Sequence, residues 1–208
     1  MEFYGLNDMV RAGCQDCEGC FACCKGMGQS VILNPCDGFL LAKHLKTPLE
    51  ALMGNRIELH VEEGIVLPNL LMTGEEERCV FLNEKGRCSI HPFRPGVCRL
   101  FPLGRDYGSG EIRYFLLENG CKKENRTKVK VRKWLDTEDI RKNEEFLLCW
   151  HSFLKDVRKK AAEERDFAKE AALYILKTFY FTGWPEETEG FYSQFSSRIE
   201  KGRADLGI

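Results

Sequence analysis

Residues 13–28 read Gly-Cys-Gln-Asp-Cys-Glu-Gly-Cys-Phe-Ala-Cys-Cys-Lys-Gly-Met-Gly, five thiols within eleven residues. Four of them, Cys14, Cys17, Cys20 and Cys23, recur at every third position. On an α-helix a step of three residues turns about 300°, so successive thiols drift by about 60° and form no single face. Gly13, Gly19, Gly26 and Gly28 favour turns. The stretch therefore predicts a wrapping loop that turns its thiols inward, with at most a short helical turn. The chain carries 11 cysteines in all, the others at 36, 79, 88, 98, 121 and 149. The N-terminus, Met1 to Arg11, holds Glu2 and Asp8 and no apolar core, and so does not read as a secretory signal. An odd thiol count without such a signal argues against a secreted disulfide scaffold and for metal or redox chemistry in the cytoplasm. Cys149, on an apolar helical stripe, reads as an ordinary small hydrophobe.

Outward from the cluster, Val31-Ile-Leu33 reads as a short strand. Asp37 is expected to cap a helix over 38–46, and Thr47-Pro-Leu-Glu50 reads as a capping box opening a second short helix. Ile57, Leu59 and Val61 alternate with Glu58, His60 and Glu62, Glu63-Gly64 turns, and residues 65–71 return, a hairpin. A second hairpin is expected around Asn83–Gly86, with Cys79 on one arm and Cys88 on the other. Residues 91–104 hold three prolines and should be mostly irregular. Residues 111–117 and 128–131 read as strands. Beyond Asp136 the pattern becomes helical. Phe146, Trp150, Phe153, Leu154 and Val157 form one stripe, a second helix covers 166–181, and Phe191, Phe195 and Ile199 mark a last short one. The expected fold class is α+β: a metal-nucleated, hairpin-rich cysteine-cluster domain over residues 14–135, and a helical C-terminal region over 136–208.

CEGCFACC at 17–24 matches a CxxCxxCC motif, and the match continues. Asn34-Pro-Cys-Asp37 precedes a leucine-rich helix. Cys79-Val-Phe-Leu leads to Gly86-Arg-Cys88-Ser-Ile, then to Arg94-Pro-x2-Cys98-Arg-x-Phe-Pro102, and Cys121 precedes Val129-x-Val131-x2-Trp134-Leu135. In these residues the chain resembles the YkgJ-like cysteine-cluster family, a zinc- or iron-chelating domain. The resemblance implies a metal ligand set of Cys17, Cys20, Cys23, Cys24, Cys79, Cys88, Cys98 and Cys121. Phe21 stands where that family commonly has glycine, and His91 where tyrosine is common, so His91 is not expected to be a ligand. Cys14 and Cys36 look additional. No segment resembles a methyl-donor-binding one.

The occupant is an iron–sulfur cluster or zinc. Cys14-x2-Cys17-x2-Cys20-x3-Cys24 has the bacterial ferredoxin spacing, with Lys25 in place of the usual proline and no second copy. Thiolates without histidine suit tetrahedral zinc as well. Cys23 and Cys24, pointing apart in an extended chain, would serve two centres or opposite edges of one. Arg94, Arg99 and Arg105 surround the cysteine loop and would offset thiolate charge. With 31 Lys+Arg against 32 Asp+Glu, net charge −1, a nucleic-acid partner is disfavoured. The stretch 122–133, seven basic residues and one acid, reads as a solvated strand edge. No run of 18 apolar residues predicts a membrane span. The partners expected are the metal ion or cluster and a protein bound through the helical C-terminal region. The function expected is an intracellular metal-binding protein. The alternatives are a cluster-dependent redox or methyl-transfer enzyme and a structural zinc module with a partner-binding tail.

Overall fold

The computed structural model describes residues 1–14, 21–108, 110–118, 120–121, 123, 125–164 and 166–208. It mixes helices with small antiparallel sheets, an α+β fold. The chain forms two compact units, Met1–Val31 with Met72–Leu148, and Ile32–Leu71 with Cys149–Ile208. The change to helical sequence at residue 136 marks secondary structure and does not coincide with this partition.

In the first unit, Phe3–Tyr4, Arg113–Leu116 and Leu103–Asp106 form a three-stranded antiparallel sheet with Arg113–Leu116 in the centre. Its core residue Tyr114 is fully buried and donates its hydroxyl to Glu144 Oε1 at 2.8 Å, which satisfies a group that burial would otherwise strand. Met9–Gly13 pairs with Thr127–Lys130, and the register slips between Val10 and Gly13. A side chain at Gly13 would collide with Thr127, so glycine is required where this strand delivers the chain into the cysteine segment. Within the basic stretch, Thr127–Lys130 is the mostly exposed strand expected from its composition. A short helix not expected from the sequence, Val131–Leu135, follows it and ends at Asp136 in the left-handed region.

The long helix Ile140–Glu163 starts later than expected. Asp139 caps it, its carboxylate accepting the Lys142 backbone N–H at 3.3 Å. Its apolar stripe is buried at Phe146, Trp150, Phe153, Leu154 and Val157.

In the second unit the first helix runs Pro35–Leu45, and its cap is Asn34 rather than Asp37. The Asn34 side chain accepts the Asp37 N–H, and the Asp37 carboxylate accepts the Asn34 N–H, both at 3.0 Å. This is a capping box with Pro35 at the first helical position, where a missing N–H costs nothing. Asn34→Ala should lower stability by about 1 kcal/mol, read as a drop in the urea midpoint. The Thr47 capping box does not form. Its hydroxyl donates to Leu45 O, and Leu49–Leu52 is a single 3₁₀ turn. Ile57–Glu62 and Ile65–Leu70 pair in the expected hairpin, turning at Glu63 and Gly64, both with positive φ. Of Val31–Leu33, Ile32 alone makes a bridge, to Asn69. Helix Phe167–Ile175 continues into a π-helical stretch, Leu176–Phe181, and the last helix, Thr188–Leu206, is longer than expected. Aromatic rings fill the core of this unit: Trp150 lies 5.6 Å from Phe153 and 5.1 Å from Phe179, and Phe39 stacks on Phe191 at 5.0 Å.

Candidate metal centre

Cys23 and Cys24 sit on the 3₁₀ turn Ala22–Cys24. That turn, closed by the Cys24 N–H on Phe21 O at 2.9 Å, overturns the extended-chain expectation that the two thiols point apart. Their sulfurs stand 4.0 Å from each other. Cys17 and Cys20 lie outside the described residues.

Three tethers bring the turn to the later cysteines. The Lys25 ammonium meets the Glu76 carboxylate at 2.6 Å. The Gly26 N–H donates to Glu76 O at 3.1 Å, and the Gly28 N–H to Glu77 Oε2 at 3.1 Å. Gly26 and Gly28 have φ of 66° and 50°, a region that only glycine enters freely. Phe21 covers the turn between Cys79 and Cys88, for a Cβ at Gly86 would lie 3.1 Å from its ring. The sequence reading missed Glu76 and Glu77. The signal was the acidic run 75–77, separated from Cys79 by Arg78 alone and of opposite charge to Lys25.

Cys79 and Cys88 are held by the turn expected between them, although its ladder is shorter than expected. Arg78–Cys79 pairs with Met72–Thr73, and toward the Cys88 arm there is the single bridge Leu82–Cys88. Polar bonds fix the turn instead. The Asn83 side-chain oxygen accepts the Lys85 and Arg87 N–H groups at 3.0 and 2.9 Å, and Arg78 donates to Leu82 O and Asn83 O. The Phe81 and Leu82 N–H groups face the Cys79 sulfur, and the Ile90 N–H faces that of Cys88. Donors so placed favour thiolate over thiol.

The four thiols interact electrostatically. A hydrogen bond from Cys24, helped by the Cys23 backbone N–H and the Arg94 charge, brings the Cys23 thiol down to about 7 against the pull of burial. Cys24 moves up, first because it holds the shared proton, then through burial and the nearby Cys23, Cys88 and Cys79. Burial pushes Cys79 and Cys88 up as well. Arg94, whose guanidinium also meets His91, thus sits where it offsets sulfur charge, as expected. Arg99 does structural work. It donates to Asp136 O at 2.8 Å and Pro92 O at 3.0 Å. With Trp134 bonded to Leu100 O, this fixes the short helix Gly96–Leu100 that carries Cys98. Arg105 lies beside Tyr114. Cys121 follows the central sheet, partly exposed. Among the described residues, no three Cys, His, Asp or Glu side chains are gathered tightly enough to hold one ion. The donor set nevertheless suits a soft, thiolate-binding metal: clustered sulfurs, backbone N–H groups aimed at them, and a cation alongside.

Such a fold and such a site define a cysteine-rich protein in which the Cys23–Cys24 turn is tethered beside the turn that bears Cys79 and Cys88. A family model, CxxCxxCC, described as "Putative zinc- or iron-chelating domain", matches residues 16–122, and the chain belongs to this family. No curated protein and no solved structure matches it. Among the described residues, no helix is long and apolar enough to cross a membrane.

Proposed function

We propose that the chain is a metal-binding protein that holds iron, as an iron–sulfur cluster, or zinc through Cys17, Cys20, Cys23, Cys24, Cys79, Cys88, Cys98 and Cys121, within residues 14–135. One observation carries this reading. All six described members of that set lie in one compact unit, and Cys23, Cys24, Cys79 and Cys88 interact with one another, whereas Cys36 and Cys149 belong to the other unit. When bound, the metal supplies folding free energy to a region of short elements and, as an iron–sulfur cluster, an electron-transfer group. The chain's own residues orient the sulfurs by backbone N–H groups and offset their charge with Arg94.

Zinc is the second occupant, and the Cys23–Cys24 geometry suits one ion of either metal bound by both thiolates. Two thiolates on one tetrahedral zinc with bonds of about 2.3 Å stand about 3.8 Å apart, close to the 4.0 Å between Cys23 and Cys24. An iron carrying both cysteines needs the same approach.

Metal and sulfide analysis of anaerobically purified protein tests the reading. An iron–sulfur centre gives brown protein bleached by dithionite, and zinc gives colourless, redox-silent protein. Absence of both metals, with eleven freely reactive thiols in the folded chain, would defeat it. Loading must also displace protons, because Cys24, Cys79 and Cys88 hold theirs above the ordinary thiol range. Affinity should therefore rise with pH. It should fall most steeply as pH drops below about 7, where Cys23 too is protonated. Competition against a chromophoric chelator at pH 6, 7 and 8 reads this, and a pH-independent affinity would rule out thiolate ligands.

A further inference from the structure

We propose that the open edge of strand Ile57–Glu62, in the second unit, docks an extended segment of another protein. That segment alternates apolar and basic residues and adds to the hairpin as an antiparallel third strand. Alternation in Ile57–Glu62 puts Ile57, Leu59 and Val61 on one face, which should then be buried. Ile57 is, but Leu59 is 40% and Val61 67% exposed. Half-buried Val66 lies directly across from Val61 on the same face. The hairpin thus carries its apolar face beyond the part that the chain covers.

The backbone is open at the same residues. Pro68 lies opposite Leu59, has no N–H, and gives its carbonyl to the Leu33 N–H at 2.8 Å. Pro68 therefore turns its polar group away from Ile57–Glu62. Directly opposed antiparallel residues either both bond each other or both point away, so the Leu59 N–H and C=O face the outer edge. Alternate residues behave alike: the Ile57 carbonyl accepts the Gly54 N–H from outside the sheet at 2.8 Å, and Val61 faces outward too. Among the described residues nothing bonds the backbone of Leu59 or Val61, and the hairpin is a sheet of two strands. Native edges are commonly blunted by lysine, proline or a bulge. The run Ile-Glu-Leu-His-Val-Glu has no lysine or proline, and its register is unbroken over six pairs. Such an edge is what strand addition uses, main-chain bonds giving affinity and alternate side chains specificity.

Side chains set the sequence of the added strand. Its residues fall alternately beside Leu59 and Val61 on one face and beside Glu58, His60 and Glu62 on the other. The first face calls for apolar residues. On the second, His60 Nε2 lies 2.9 Å from the Glu58 carboxylate, and Glu63 in the turn is met by Arg158 at 2.8 Å. Glu62, half-buried, has no partner among the described residues. A lysine or arginine beside it completes the row. A second copy of the chain fits less well: the two-fold pairing that sets Leu59 against Val61 also sets Glu58 against Glu62, and opposed like charges destabilise a strand pair.

The probe is the end-capped peptide Lys-Val-Lys-Val-Lys, titrated into the full metal-loaded chain and followed by amide NMR. It should bind saturably with a Kd of about 1 mM or tighter, shifting the amides of Leu59 and Val61 most. Lys-Pro-Lys-Pro-Lys has the same charge but lacks the strand's donors, and Glu-Val-Glu-Val-Glu has the opposite charge; both should bind at least about tenfold more weakly. Val61→Pro removes an outward N–H without touching the ladder to Ile65–Leu70, so it should leave the melting temperature near that of the parent and weaken the probe about tenfold. Glu62→Gln should weaken it several-fold and reduce its salt dependence. If Val61→Pro fails to fold, Glu62→Gln and the proline peptide decide. No saturable binding, equal binding of either control peptide, shifts centred away from Leu59 and Val61, or unchanged affinity in the folded variants would overturn the proposal. A concentration-dependent dimer of the parent that Val61→Pro abolishes would give the edge to a second copy and overturn it as well. None of these readouts depends on which metal the cysteines hold.

Discussion

Cys79→Ser is expected to empty the metal centre and melt the first unit, while Cys149→Ser leaves metal content and melting temperature near those of the parent. Cys79 is buried at the meeting of its own turn with the Cys23–Cys24 turn, and its sulfur is served by two backbone N–H groups. A serine oxygen there is a poor partner for a soft metal. A structural thiolate site contributes on the order of 10 kcal/mol to folding, comparable with the whole stability of an ordinary domain, about 5–15 kcal/mol. Cys149 lies half-buried on the long helix in the other unit. Metal analysis and thermal melts of the two variants provide the check. Equal metal content and equal melting temperature would remove Cys79 from the ligand set.

The second large effect is expected from Phe153→Ala. The ring is fully buried between Trp150 and Phe179, at centroid distances of 5.6 and 5.5 Å, with the Arg203 guanidinium 5.9 Å away. Gly202 adds to the fit, for even a methyl there would lie 3.4 Å from the Phe153 ring. Rings packed on several sides relax little into a cavity, so truncation should cost about 3–5 kcal/mol. Urea unfolding should show a lowered midpoint with an unchanged slope. A loss below about 1 kcal/mol would mean that neighbouring rings refill the space.

What the sequence disclosed depended on how local the determining interaction was. The hairpin around Glu63-Gly64 was legible because alternation and turn chemistry lie within fifteen residues. The stripe through Phe153 was legible for the same reason. Helix starts were misplaced where two capping residues compete: Asp37 and Asn34 both make capping bonds, and Pro35 decides that Asn34 is the cap. The Cys23–Cys24 geometry was misread because alternation across a strand was assumed for a 3₁₀ turn. The tethers to Glu76 and Glu77, and the Tyr180 bond to Leu33 across 147 residues, are long-range choices that no local pattern announces. The same applies to the grouping of residues 32–71 with 149–208.

That interleaved grouping sets a timetable for biosynthesis. The strand pair Met9–Gly13 with Thr127–Lys130 is closed only after residue 130 has been made, and Cys23 and Cys24 leave the ribosome well before Cys79 and Cys88. Until then the early thiols have no turn at 74–77 to anchor them and no Arg94 beside them. Translation extends a chain at about 5–20 residues per second, so this interval lasts seconds, long enough for oxidants or stray metal ions to compete for the N-terminal cysteines. Slowing elongation between codons 31 and 79 should therefore increase mispaired or mismetallated product, whereas slowing it after codon 148, when every part of the first unit exists, should not.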